Sequence, residues 1–99
     1  MNCSSMAEVR ANIDALDEQI VALLARRTGF VAQAARIKGD ESQIVDKARI
    51  EYIVNRVKRQ AAGLGAPDDV VEAAYRALID ASIAFERRQF ALLRGKAVS

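Results

Sequence analysis

The 99-residue sequence has no histidine and no tryptophan, and it has one cysteine and one proline. With a single thiol, Cys3, a disulfide within the chain is excluded, and a metal site built from histidine and cysteine is not expected. No Gly-rich phosphate loop is present, and no histidine is available as the base for a nucleophilic serine. We therefore expect no metal and no cofactor, and any chemistry must come from positioning and electrostatics.

Long apolar runs and a strong net charge are also missing. No apolar run approaches the ~20 residues needed to cross a bilayer. The start, MNCSSMAEV, lacks the basic and apolar segments of a signal peptide. The net charge of +2 is too small to indicate a nucleic-acid or membrane partner. The expectation is a cytoplasmic protein that binds neither nucleic acid nor membrane.

The composition indicates a helical protein. Apolar residues make up 52% and charged residues 28%, as in a folded domain, and aromatic side chains are limited to two tyrosines and three phenylalanines. Alanine is abundant, which favours closely packed helices over a sheet. We predict one all-α domain over residues 1–99, with residues 1–6 and 95–99 as disordered tails.

Hydrophobic spacing predicts three helices. The first runs from Ala7 to Lys38, the second from about Asp46 to Ala62, and the third from Pro67 to about Leu93. The polar segment GDESQ and the turn GLGAPDD separate them. The apolar positions of the first helix fall within about 40° of one line along its surface; they are Val9, Ile13, Leu16, Ile20, Leu23, Val31 and Ala34.

The first helix is long for a small domain. It would measure about 48 Å, whereas a compact monomer of this length has a diameter of about 33 Å. Either the helix breaks, with Gly29 as the candidate position, or another subunit covers the excess stripe. We expect the second alternative, an intertwined homodimer with shared helices.

Polar residues at core positions indicate a site. Arg27 and Lys38 lie on the apolar stripe of the first helix, about 16 Å apart along its axis. Ser82 and Glu86 project from the core side of the third helix, and a buried carboxyl group either pairs with a cation or keeps its proton. One alternative is that the cations reach water or pair with carboxylates to fix the helix register. The other is a pocket for a small dianion, which guanidinium groups would clamp.

Three further residues can approach this pocket. Asp46 and Arg49 stand in the first turn of the second helix, where Asp46 also suits the cap. Arg10 lies about 100° from the stripe, so it points sideways and can reach a site in a neighbouring subunit.

The segment VRANIDALDEQIVALLARR covers residues 9–27, and Lys38 follows eleven positions later. This pattern is the most specific part of a resemblance to the all-helical chorismate mutase family, which extends over roughly Glu8 to Leu92. The resemblance implies three interlocked helices per subunit in a homodimer. It also implies the rearrangement of chorismate to prephenate, by folding the substrate and stabilising negative charge on its ether oxygen.

The resemblance also implies a role for each residue. Arg27 would bind one substrate carboxylate, and Arg10 of the partner subunit would bind the other. Lys38 and Glu86 would face the ether oxygen of the breaking bond, with Glu86 active in its protonated form. Asp46 and Ser82 would lie by the ring hydroxyl, and Arg49 would assist a carboxylate.

The sequence departs from that family at Ile50. Many chorismate mutases have Arg-Glu early in the second helix, and this chain has Arg49-Ile50. The missing glutamate and the eleven-residue spacing from Lys38 to Arg49 resemble the isochorismate–pyruvate lyases of the same fold, which form salicylate. The rival hypotheses are thus such a lyase and a non-catalytic helical dimerisation module, in which Arg27 and Lys38 would pair with acidic residues.

Overall fold

The computed structural model describes residues 2–95, and within that range the secondary structure is entirely helical. Helix α1 spans Met6–Ile37, α2 spans Lys47–Gly63 and α3 spans Asp68–Leu93, with a short 3-10 turn at Glu41–Gln43. The prediction of an all-α chain with three helices is confirmed, and each boundary lies close to the predicted one. Met1 and residues 96–99 lie outside the described residues, so the disordered tails stay a prediction there.

Helix α1 begins with a cap formed by side chains. The backbone N–H of Glu8 donates to Ser5 Oγ at 3.2 Å, and the Glu8 carboxylate accepts from the hydroxyl and the N–H of Ser4. These bonds satisfy donors that the first turn of a helix leaves without partners. The helix then continues through Gly29 without interruption, so the alternative of a break at that glycine is wrong.

The chain divides into two units at the Phe30–Val31 bond. The first unit is the larger part of α1, and much of its apolar stripe is exposed to solvent. Four of the predicted stripe residues are about half exposed: Ile13 at 49%, Leu16 at 52%, Ile20 at 51% and Leu23 at 59%. An uncovered stripe of this length is unusual for a monomer.

The second unit contains the core. One cluster comprises Ala35 at the end of α1, Ile44 after the 3-10 turn and Phe90 on α3, with Ile83 packed against it. Val54 and Ala61 are buried on α2, and Ile79 is buried on α3. The helical spacing of α3 places Glu86 on the same side of that helix as Ile79 and Phe90.

Salt bridges join the outer faces of α2 and α3. Arg76 donates to both oxygens of Glu51, at 3.1 and 3.2 Å, and to Glu72 at 2.9 Å. Lys58 pairs with Glu72 at 3.2 Å. In the part of the chain that the structure describes, no helix is both long and apolar enough to cross a membrane.

Candidate active site

The centre of the site is a buried carboxyl group on α3. Glu86 is 6% exposed and is the one charged residue that is buried within residues 2–95. It faces inward because the residues that share its side of the helix, Ile79, Ile83 and Phe90, pack into the core. The prediction that Glu86 occupies a core position is therefore confirmed.

Lys38 reaches this carboxyl group from the end of α1. Its N–H closes the last turn of the helix by donating to the Ala34 carbonyl at 2.9 Å. Its Nζ lies 2.8 Å from Glu86 Oε2, and the lysine side chain remains 27% exposed. The ammonium thus contacts the buried carboxylate, while part of the lysine side chain remains exposed to solvent.

The geometry of this pair is poor for a hydrogen bond. Oε2 of Glu86 has no partner of acceptable hydrogen-bond geometry among the described residues, although the lysine nitrogen is close. The contact is therefore an ion pair without a directional bond, and it leaves the acceptor capacity of Oε2 unused.

An open groove of about 690 Å³ lies beside Lys38. Lys38 and Asp46 both line it, so two of the predicted site residues share one surface. The remaining lining residues come from the segment between α1 and α2; they are Ile37, Gly39, Ser42, Gln43, Val45 and Lys47.

Asp46 and Arg49 stand at the start of α2, as predicted. Asp46 is the N-cap, and its carboxylate accepts the backbone N–H of Arg49 at 3.0 Å. The Arg49 guanidinium lies over the Tyr52 ring, 5.2 Å from its centroid. Ser82 is half-buried one turn before Glu86 on α3. The roles of these residues towards a substrate stay predictions.

Arg10 and Arg27 belong to the first unit. Arg10 is exposed on α1 and Arg27 is half-buried, and the roles of both towards a substrate stay predictions. No group of three His, Cys, Asp or Glu residues suited to a metal ion occurs within residues 2–95. The charged groups described here can bind an anion and stabilise negative charge on it.

One contributor was not predicted from the sequence. Arg94, just beyond α3, donates from its guanidinium to the carbonyl oxygens of Ala35 and Lys38. Arg94 directly follows Leu93, the last residue of α3, and nothing in its spacing indicates a partner 56 positions earlier. The only available signal is its type, since basic side chains often bind the carbonyls at helix ends.

The pairing of Lys38 also bears on the rival hypotheses. A non-catalytic module was predicted to pair its inward cations with acidic residues, and Lys38 does pair with Glu86. A pair formed only for stability would nevertheless be expected to align its hydrogen bonds, and this one does not. The ion pair alone therefore leaves both hypotheses open.

Comparisons with known proteins add information on the whole chain. The sequence model of the chorismate mutase type II family matches residues 9–87. A relative from Pseudomonas aeruginosa, named isochorismate pyruvate lyase, is 30% identical over 96 residues, which cover 97% of this chain and 95% of the relative. The range matched by the family contains all seven predicted site residues and leaves out Arg94.

Proposed function

The chain belongs to the chorismate mutase type II family, and on that premise we propose that it is an enzyme that breaks the ether C–O bond of a small dianion of the chorismate class. The observation that carries the proposal is the contact between Lys38 Nζ and the buried carboxyl group of Glu86, 2.8 Å apart beside an open groove. The predicted resemblance to this family, with features of the lyases, is confirmed.

In the proposed mechanism, the Lys38 ammonium donates a hydrogen bond to the ether oxygen and stabilises the negative charge that develops there, while the lysine keeps its proton. Glu86 is ion-paired with Lys38 in the free protein, and a carboxylate there would repel the developing charge. In the proposed mechanism Glu86 therefore carries a proton while substrate is bound and donates its O–H to the same oxygen. Arg27 binds one substrate carboxylate, and Arg10 binds the other. Asp46, Arg49 and Ser82 contact the ring hydroxyl and the remaining polar groups.

The first candidate reaction is the rearrangement of chorismate to prephenate. One C–O bond breaks and one C–C bond forms within the same molecule, so no group has to be activated as a nucleophile. The protein contributes by folding the flexible substrate into its reactive shape and by stabilising the ether oxygen. The family match and the buried cation–carboxyl pair support this candidate.

The second candidate is the cleavage of isochorismate to salicylate and pyruvate. Here the same C–O bond breaks while a ring hydrogen moves to the leaving enolpyruvyl group. The relative named isochorismate pyruvate lyase and the replacement of the expected glutamate by Ile50 favour it. Both reactions require stabilisation of the ether oxygen, so one set of residues serves either.

The deciding experiment incubates the purified protein with chorismate and, separately, with isochorismate. Prephenate from the first substrate identifies a mutase, and salicylate with pyruvate from the second identifies a lyase. Neither product, together with no rise in melting temperature on addition of either substrate, would refute the proposal and favour the non-catalytic module.

We also propose that the active form is a homodimer. The apolar stripe of α1 is partly exposed in the single chain, and burying it against another surface is favourable. About half of each side chain is exposed at Ile13, Leu16, Ile20 and Leu23. A second copy supplies an equally long stripe and brings an exposed Arg10 to a site in the first copy. Sedimentation should give a dimer mass, and a monomer that turns over substrate at full rate would refute the arrangement.

Mixing two inactive variants tests the shared site. An Arg10→Ala chain keeps Lys38, and a Lys38→Ala chain keeps Arg10. Refolding them together should restore one working site per mixed dimer. No recovery in the mixture would mean that each subunit uses its own Arg10.

A further inference from the structure

We propose that Arg94 is a positioning residue that fixes the main chain of Lys38, so that the lysine ammonium is held at the reacting bond. The inference rests on the proposed function for its effect on turnover. It rests on the structure alone for the contact itself.

Lys38 stands where a helix leaves its carbonyl groups without partners. Helix α1 ends at Ile37, and the last carbonyls of any helix have no N–H ahead of them to accept from. Arg94 supplies the missing donors: Nη1 donates to the Ala35 carbonyl at 3.1 Å, and Nη2 donates to the Lys38 carbonyl. The planar guanidinium presents two N–H groups in a fixed fork, so both carbonyls are held in one orientation.

The Arg94 guanidinium is itself restrained by the aromatic ring of Phe90. Its carbon lies 3.6 Å from the centroid of the Phe90 ring, a cation–π contact. Phe90 is 3% exposed and belongs to the same core cluster as Ala35. The Arg94 N–H donates to the Phe90 carbonyl at 3.2 Å, which continues the helical turn past the end of α3. The arginine therefore has little freedom to move away.

Glu86, Phe90 and Arg94 are spaced four residues apart, so they form one column along the end of α3. Glu86 contacts the ammonium of Lys38. Arg94 donates a hydrogen bond to the backbone carbonyl of the same lysine. Residues at the end of α3 therefore contact both the side chain and the main chain of Lys38, and the arginine fixes the backbone position from which the long side chain extends.

The residues that follow Lys38 complete this restraint. The backbone N–H groups of Gly39 and Asp40 both donate to Gln43 Oε1, at 3.0 and 3.3 Å. Without Arg94, the Lys38 carbonyl would depend on solvent, and the peptide between two restrained segments could rotate. A displacement of about 1 Å at a reacting group can cost up to about a hundredfold in rate, so a loose main chain at this position is expected to slow turnover.

The test compares Arg94→Ala and Arg94→Lys with the matched control Arg88→Ala. Arg88 lies on the same helix with its guanidinium over a phenylalanine, 5.7 Å from the Phe85 ring centroid. We expect kcat to fall about tenfold in Arg94→Ala with little change in KM, because the reacting group is misplaced while substrate binding persists. Arg94→Lys keeps one donor and should fall between that variant and the wild type, while Arg88→Ala keeps the wild-type kcat.

Two further readouts separate positioning from general stability. In the Lys38→Ala background, Arg94→Ala should lower the residual rate no further, because no ammonium remains to be positioned. Amide hydrogen exchange at Lys38 and Gly39 should become faster in Arg94→Ala, while exchange in the middle of α2 stays unchanged.

An unchanged kcat in Arg94→Ala, an equal loss in Arg88→Ala, or a further tenfold loss in the Lys38→Ala background would each overturn the inference. If Arg94→Ala does not fold, Arg94→Lys decides in its place, and wild-type kcat in that variant overturns the inference. A wild-type protein that converts neither substrate refutes the proposed function. Amide hydrogen exchange then still tests whether Arg94 restrains the Lys38 main chain, and an unchanged exchange rate at Gly39 in Arg94→Ala would overturn that restraint.

Discussion

Two sets of ion pairs in the second unit differ in burial and in geometry. On the outer faces of α2 and α3, Arg76 joins Glu51 and Glu72 through hydrogen bonds of 2.9 to 3.2 Å. In the interior, Lys38 meets Glu86 at 2.8 Å, but Oε2 receives no hydrogen bond of acceptable geometry within residues 2–95. The exposed arginine thus forms hydrogen bonds to its carboxylates, whereas the buried Glu86 Oε2 accepts none among the described residues.

The contacts of the exposed set favour the ionised form of both glutamates on the outer faces. Hydrogen bonds from Arg76 hold the pKa of Glu51 below its usual value. Hydrogen bonds from Arg76 and Lys58 lower the pKa of Glu72. These carboxylates are stabilised as anions in water at little desolvation cost. A buried charge without aligned donors is expensive to keep. Under the proposed function, we therefore expect the exposed set to act on stability and the buried pair to act on binding and chemistry.

The largest effect is expected for Lys38→Ala. Removal of a single donor to a developing oxyanion typically lowers kcat by about a hundredfold to a thousandfold, and steady-state kinetics on the converted substrate measures it. The matched control is Lys58→Ala, which removes a lysine that pairs with an exposed glutamate at 3.2 Å. The control should keep its turnover, and comparable losses in the two variants would contradict the division between the sets.

Replacing both members of the buried pair separates activity from stability. Lys38→Met with Glu86→Leu removes a buried charge pair and fills its space with hydrocarbon. The free energy of unfolding should stay unchanged or rise by up to about 2 kcal/mol, while turnover is lost. Denaturant unfolding followed by circular dichroism measures the change. A large destabilisation would mean that the pair holds the fold together.

Glu86→Gln is expected to change activity much less. The amide keeps a hydrogen-bond donor near the ether oxygen but cannot ionise. Steady-state kinetics compare this variant with Glu86→Ala, which removes the donor altogether and should lose far more turnover. Equal losses in the two variants would contradict a donor role for this side chain.

The smallest effect is expected for Arg76→Ala, which should lower stability slightly and less in high salt, because exposed pairs are screened. The pKa values of Glu51 and Glu72 are lowered from the usual 4.5, so their contribution is complete above that pH and is lost as pH falls through the folded-state values. The stability difference between wild type and variant should therefore shrink on acidification. A difference that grows below pH 4.5 would contradict this account.

Much of this architecture could be predicted from the sequence. The spacing of apolar residues gives three helices, the acidic residue before α2 gives its cap at Asp46, and Glu86 falls on a core face because its neighbours one turn away are apolar. Periodicity describes one helix at a time, so it gave a carboxyl group in the core and a cation on another stripe without joining them. Packing between helices decides which cation contacts Glu86. It also decides whether that contact has the geometry of a hydrogen bond.

Arg94 shows the limit of that reasoning most clearly. A basic residue after an apolar stripe has the same local pattern whether it is solvated or bound to a helix end. Its two carbonyl partners lie 59 and 56 positions earlier, and only the packing of Phe90 against Ala35 brings them within reach. The continuous course of α1 through Gly29 is similar, since a glycine weakens a helix by about 1 kcal/mol and its surroundings decide the outcome.

The contact of Arg94 with Lys38 has a consequence for how the protein becomes active during its synthesis. The bonds that shape the segment after Lys38 join residues at most four positions apart, so they can form soon after that segment leaves the ribosome. The hydrogen bond from Arg94 to the Lys38 carbonyl can form only after residue 94 has been made, 56 positions later. Nascent chains that end before Arg94 would already contain all seven predicted substrate-contacting residues, but their Lys38 carbonyl would lack the hydrogen bond from Arg94.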